Sequence, residues 1–377
     1  MKCLKCNTDS KRSERADGKC PKCGHIFVFE PQNDKITDLA FRAVLDDVSA
    51  RDTLQYTQGQ LYFAFNRRLG KKFSPDVLSG VLSFFSIVAI IGGIIGASTG
   101  SFWMMCLFIL GLAMILFVAI RGRRPLKEVA VDRQTFHALF QRWVAVNKNP
   151  KGLINEDKAR VKSLNEQQRK ELSKYSFDRL LIVERDLIAV MLIRNNFHFE
   201  NNCAILSLDG YPGNETREMV LSMANQNPAL KVFLAHDASA DGCAALARLR
   251  AKGWLADDKV AVSDLGLRPS QVMAMKRALI TRDAAIPTGA QAEALAWLDA
   301  KERAWLNKGN AMSIDTLSPA SLMRALHQGF ARTQMLTQAA GADGADGALI
   351  LIDPISSSPA IWSGSSSYDQ FASDSFG

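Results

Sequence analysis

Outside its opening stretch this chain of 377 residues carries only three cysteines, Cys106, Cys203 and Cys243. Three scattered thiols cannot build a disulfide framework, and the remaining four, crowded at the N-terminus, suit a metal site in a reducing compartment. The polar, cysteine-bearing start lacks the apolar core of a secretory signal peptide, so no such leader is expected. The chain also lacks a lopsided charge: 46 Lys and Arg stand against 38 Asp and Glu, for a net +8 and a pI near 9.1. That excess fits a polyanionic partner and a membrane protein with basic flanks equally well, and excludes neither. With 47% hydrophobic and 22% charged residues the composition is that of a folded protein. The mean hydropathy of −0.02 is high for a soluble enzyme, so the apolar residues must be concentrated somewhere.

They are concentrated where charge is missing altogether. Residues 77–97 (VLSGVLSFFSIVAIIGGIIGA) and 102–120 (FWMMCLFILGLAMILFVAI) contain no Asp, Glu, Lys, Arg or His. Each has about the 20 residues that cross a hydrocarbon core, and a buried hairpin in a globular core seldom needs two such runs back to back. They read as a two-helix transmembrane hairpin, with Gly92, Gly93 and Gly96 allowing close approach of the helices. Arg67, Arg68, Lys71 and Lys72 precede it and Arg121, Arg123 and Arg124 follow it, which predicts the cell (inner) membrane with both termini cytoplasmic. Residues 36–47 and 58–68 before it, and 135–146 and 156–173 after it, show helical spacing, the last with a solvated charged face. Tyr62, Phe63 and Phe65 read as interfacial or packing aromatics.

The N-terminal cysteines come in pairs. MKCLKC and KCPKCGH supply Cys3, Cys6, Cys20 and Cys23, the ligand set of a closed tetrahedral Zn²⁺ site, and Gly24 suits the tight turn behind the second pair. Four thiolates leave no open position, so the zinc is expected to be structural, with His25 outside the shell. Zinc ribbons of this kind contact nucleic acid or protein, and the motif does not choose between them.

From residue 177 the texture alternates between strand and helix. Strands are expected at 180–183, 203–208, 231–235 and 260–262, helices at 187–194, 215–225 and 243–252, and a turn at 210–213. Alternation of this kind predicts an α/β fold with a mostly parallel sheet covered on both faces. Glu184 ends the first strand, and Asp237 and Asp241 follow the third, in the stretch LAHDASADG. Carboxylates at adjacent strand ends suit Mg²⁺, which keeps several waters and takes one or two protein carboxylates. The bland readings are a polar turn, with Asp241 or Ser239 capping the next helix, His236 as a hydrogen-bonded packing residue and Cys243 as an inert thiol.

The pieces IVERDLIAVMLIRNNF, CAILSLDGYPGNETREMVLSMA, VFLAHDASADGCAAL and DLGLRPSQV, in this order, resemble the toprim domain of topoisomerase VI A subunits and the related meiotic double-strand-break proteins. The resemblance implies a Rossmann-like domain, with Glu184 and Asp237 as Mg²⁺-binding catalytic residues for nucleic-acid phosphodiesters; Asp241, at a position not normally acidic in that family, is expected to assist in place of the missing ligand. Ser239 stands where that family has a second loop acid, and Ala240 where it has proline. No winged helix precedes the domain, and Tyr175 is the nearest upstream tyrosine, so a strand-passing topoisomerase is not expected. Residues 312–326 resemble the end of the same domain.

The expected organisation is a zinc ribbon (1–31), a cytoplasmic helical segment (32–75), the hairpin (76–120), a charged helical linker (121–175), the toprim-like domain (176–285), a helical extension (286–340) in which Trp297 and Trp305 share a side, and a flexible Gly/Ser-rich tail (341–377). The expected function is that of a membrane-anchored, Mg²⁺-dependent protein acting on or binding nucleic acid, DNA included, as a nuclease or topoisomerase-like enzyme. The alternative is a non-catalytic scaffold with a degenerate toprim site, working with protein partners in a membrane complex.

Overall fold

The computed structural model describes residues 1–69, 126–155, 177–227, 229–255, 261–275, 278–282 and 284–342. Both charge-free runs, the charged helix expected at 156–173, Tyr175 and the tail from 343 lie outside the described residues. Among the described residues no helix is long and apolar enough to cross a membrane.

The first thirty residues fold as two turns, each closed by a backbone bond back to the first cysteine of a pair: Asn7 N to Cys3 O at 3.0 Å and Gly24 N to Cys20 O at 2.9 Å. Asn7 and Gly24 both adopt left-handed φ, +56° and +69°, the conformation that reverses the chain behind each pair. Helix α1 (Asp38–Val48) and helix α2 (Gln58–Leu69) follow. After the undescribed segment come strand β1 (Leu126–Glu128) and helix α3 (Arg133–Asn147), which Asp132 caps through Thr135 N at 3.0 Å.

The segments on either side of the charge-free runs share one core. Phe29, Phe41, Phe65, Phe136 and Trp143 are buried together, with Phe41 and Trp143 centroids 4.7 Å apart. Tyr62, Phe63 and Phe65 are at most 3% exposed, so they are packing residues, and none is left to face a bilayer. Each such aromatic contributes about 1.5–3 kcal/mol by leaving water, which is what closes the chain across the intervening segment. Asn66 stitches the same joint: its Oδ1 accepts from Ala130 N and Val131 N, both at 2.9 Å.

The α/β domain is a four-stranded, fully parallel sheet in the order β3 (Cys203–Ser207), β2 (Arg179–Val183), β4 (Lys231–Ala235), β5 (Val262–Asp264). Alternation along the strands serves two cores. Leu181, Val183, Phe233 and Ala235 face one, with Phe330 and Leu326, while Leu180, Ile182, Val232 and Leu234 face the other, with Leu221, Leu249 and Trp254. The crossovers are α4 (Asp186–Arg194), α5 (Asn214–Gln226) and α6 (Ala240–Cys243) running into α7 (Ala245–Ala251). β5 begins at 262 where 260–262 was expected, so Asp264 falls on the strand end, paired with Leu234.

The helical extension is no appendage. Beyond short helix α8 (Pro269–Ala274) and strand β6 (Ala278–Ile280), its helices α9 (Ala300–Leu306) and α10 (Pro319–Ala342) return to the four-stranded sheet, and Trp305, Met312, Ile314 and Leu322 are buried in its core. Trp297, by contrast, is 44% exposed under the Arg268 guanidinium, because the chain breaks before Asp299, which caps α9. The two tryptophans therefore do not share a side. β6 pairs in parallel with β1, tying the two lobes together.

Candidate functional site

The four N-terminal sulfurs converge. All lie within 4.8 Å of one another, with Cys3–Cys23 and Cys6–Cys20 Sγ separations of 3.6 Å. A tetrahedron with metal–sulfur bonds of about 2.3 Å has edges of about 3.8 Å, so this cage fits a zinc-sized ion. Lys5 N, 3.4 Å from Cys3 Sγ, supplies a backbone donor to a ligand sulfur. Cys3 and Cys20 are buried against Phe27, whose ring carries the Arg15 guanidinium at 5.0 Å. His25 is not in the cluster.

The second candidate lies at the C-terminal edge of the sheet. Parallel register sets Val183 opposite Ala235, so the chain leaves both strands at the same level. Glu184 Oε2 accepts from Asp237 N at 3.1 Å, and Oε1 from Arg248 Nη2 on α7 at 3.4 Å. Burial, reinforced by the charge of Asp237, pushes the Glu184 carboxyl above its ordinary range. Asp237 Oδ1 accepts from Ile314 N (2.8 Å), Arg185 Nη2 (3.2 Å) and Ser313 Oγ (3.3 Å). Two hard oxygen donors brought together at unfavourable electrostatic cost suit a hard divalent cation that keeps several waters.

The loop between them explains its own residues. Ser239 Oγ accepts from Gly242 N at 2.9 Å and caps α6, so the side chain at the family's second acid position serves the backbone. A Cβ on Gly242 would lie 2.1 Å from Asp237 O, hence the glycine. Asp241 is exposed in the first turn of α6 and accepts from Gln291 Nε2 at 2.6 Å. Among the described residues the cysteine cluster is the one group of three or more Cys, His, Asp or Glu side chains that converges tightly enough for a metal; Glu184, Asp237 and Asp241 do not meet as a triad.

Beneath the loop His236 is 2% exposed, with Nδ1 2.8 Å from Asp237 O and Nε2 3.1 Å from Asp264 Oδ1. Both partners are acceptors, so both ring nitrogens donate and the imidazole is cationic. Burial alone would lower its pKa, but the adjacent Asp264 carboxylate prevails and raises it to about 9. A Cβ on Gly266 would come within 2.2–2.5 Å of this ring, which accounts for glycine in Gly266-Leu267-Arg268-Pro269-Ser270. On the other flank, Asp186 Oδ1 accepts from Tyr211 N at 2.9 Å and from the Ser207 hydroxyl, fixing the 210–213 turn against the first turn of α4.

Sequence reasoning missed Arg185, Asp264, Ser313 and Asp315. Asp264 was hidden by placing its strand two residues early. Arg185 stands beside Glu184 in the sequence, but its partners come from a segment that reaches the acid loop only through tertiary pairing: Ala238 N to Met312 O at 2.9 Å and Met312 N to Ala238 O at 3.0 Å.

No curated protein and no solved structure matches this chain. A family model for the toprim domain shared by Spo11 and the A subunits of topoisomerase 6 matches residues 179–278, from the first residue of β2 to the first of β6. The parallel sheet, the acid loop and the glycine-bearing segment beneath it are therefore a toprim-like α/β domain, a domain type whose function is metal-dependent and tied to nucleic acid.

Proposed function

We propose that this chain is a membrane-anchored protein whose toprim-like domain binds Mg²⁺ through Glu184 and Asp237 and acts on nucleic-acid phosphodiesters. The observation that carries the reading is the 3.1 Å bond from Asp237 N to Glu184, which ties Glu184 to the loop that bears Asp237, near enough for the Asp237 charge to raise the Glu184 carboxyl, at the ligand-binding edge of a parallel sheet. A divalent ion there would offset charge on a phosphate oxygen. This chain's residues hold the acids at the rim, with the His236 imidazolium beneath them and Arg248 beside Glu184. The four cysteines take a structural Zn²⁺, supported by their spacing and sulfur separations. Anchoring to the inner membrane with both termini cytoplasmic is supported by the charge-free runs at 77–97 and 102–120 and their basic flanks.

A second reading rests on different observations. Ser239 caps a helix, Asp241 turns to Gln291 and Asp237 already holds an arginine, as expected of a non-catalytic scaffold in a membrane complex. The two separate cleanly. Full-length protein in detergent is incubated with DNA or RNA in Mg²⁺, Mn²⁺ or EDTA. The enzymatic reading expects divalent-dependent binding or cleavage that Glu184→Gln and Asp237→Asn abolish. Absence of any divalent-dependent effect overturns it, and the scaffold reading then expects Asp237→Asn to leave cellular function intact.

A further inference from the structure

Arg185, the residue after Glu184, is held at both terminal nitrogens of its guanidinium, while its Nε is buried without a hydrogen-bond partner. Its Nη1 lies 2.5 Å from Asp315 Oδ2, and its Nη2 lies 3.2 Å from Asp237 Oδ1 and 2.7 Å from Ser313 Oγ. The fork thus spans a carboxylate of the acid loop and one from far downstream. Asp315 is itself fixed from a third direction. It is 4% exposed, and its Oδ1 accepts from Thr57 Oγ1 at 3.0 Å, just before α2. Gly59, in the first turn of α2, has no side chain because a Cβ would lie 2.4 Å from Asp315 Oδ2. Further along the same helix, Gln60 Nε2 donates to Leu317 O at 3.3 Å and Arg67 Nη2 to Thr316 O at 2.5 Å. Helix α2 therefore grips the whole turn that presents Asp315.

The guanidinium meets the charge of Asp237 from within the protein. A divalent ion on the same carboxylate would sit close to that cation, and like charges at a partly buried site repel. Arg is always charged, so proton loss cannot relieve the conflict; the side chain must move away. We propose that Arg185 is the resident counter-ion of Asp237, competing with the divalent cation for it, and that Asp315, gripped by α2, holds Arg185 in the competing position. The inference rests on the cation site proposed above and adds its control: access depends on whether the fork stays docked.

The test is Mn²⁺ titration of the full-length, zinc-loaded chain in detergent, with free Mn²⁺ read by electron paramagnetic resonance. Arg185→Gln, which removes the cation and keeps a polar side chain, is expected to tighten Mn²⁺ binding about tenfold or more. Arg185→Lys keeps the charge but cannot bridge both carboxylates, and is expected to tighten it a few-fold. Adding Asp237→Asn to Arg185→Gln should cancel the gain. Wild type and Arg185→Gln binding Mn²⁺ equally would overturn the competition while leaving the cation site standing. No Mn²⁺ on either protein would overturn the cation site and the competition together. Should Arg185→Gln fail to fold, Arg185→Lys decides, and an affinity unchanged from wild type overturns the proposal.

Discussion

The cysteine cluster and the acidic cleft are both candidate metal centres, and they are built in opposite ways. The cluster takes all its ligands from the opening residues, and the sulfurs converge on one another. The cleft takes Glu184 and Asp237 from adjacent strand ends, and its charges are already answered from within the chain by Arg185, Arg248 and the backbone of Ile314. A site whose sulfurs converge on one another, with only a backbone amide and a hydroxyl as further partners, depends on its ion for folding. A site with internal partners folds without the ion and must exchange one set of contacts for another to bind it. On the proposed function, the first is a structural element and the second one that responds to its ligand.

The contrast is sharpest in what metal removal does. Zinc chelation, or Cys20→Ser, is expected to remove on the order of 10 kcal/mol of binding free energy and unfold the N-terminal module alone. Limited proteolysis should then clip within the first thirty residues while the toprim-like domain stays intact; cleavage throughout the chain would break the contrast.

In the cleft the largest expected effect is that of the buried His236–Asp264 pair. The histidine titrates near 6.5 when unfolded and at about 9 when folded, so its contribution is fully present below pH 6.5 and is lost as the pH rises through 9. A loss on the order of 3 kcal/mol is expected across that window, read by denaturant unfolding as a function of pH, and His236→Gln should flatten the slope. Gly242→Ala comes next, at about 2 kcal/mol, since the new Cβ would meet the Asp237 carbonyl and displace the acid loop. Thermal melting checks it, and an unchanged midpoint would show that the loop gives way freely. Asp241→Asn is expected to shift stability by no more than about 0.5 kcal/mol and leave divalent binding unchanged, because its carboxylate is exposed and bonded to Gln291.

The same contrast explains what could be read from the sequence. The cysteine pairs were legible because ligand geometry there follows from local spacing, and Gly24 sits in the left-handed turn expected of it. The strand order of chemistry was legible too: Glu184 and Asp237 stand where the apolar runs end. Asp315 was not, since it meets Arg185 across 130 positions of sequence through a tertiary turn. Nor was the joining of α1 and α2 to α3, because aromatic spacing on each helix gives a buried face but not its partner. Asp264 was missed for a smaller reason, a shift of two residues in a strand of only three.

The most direct test of the account is the number and place of Mn²⁺ ions on the full-length, zinc-loaded protein. One bound Mn²⁺ per chain, lost in Glu184→Gln and in Asp237→Asn but kept in Asp241→Asn, is the predicted result. No bound Mn²⁺, or one indifferent to Glu184 and Asp237, would contradict the account and leave the toprim-like domain as a scaffold.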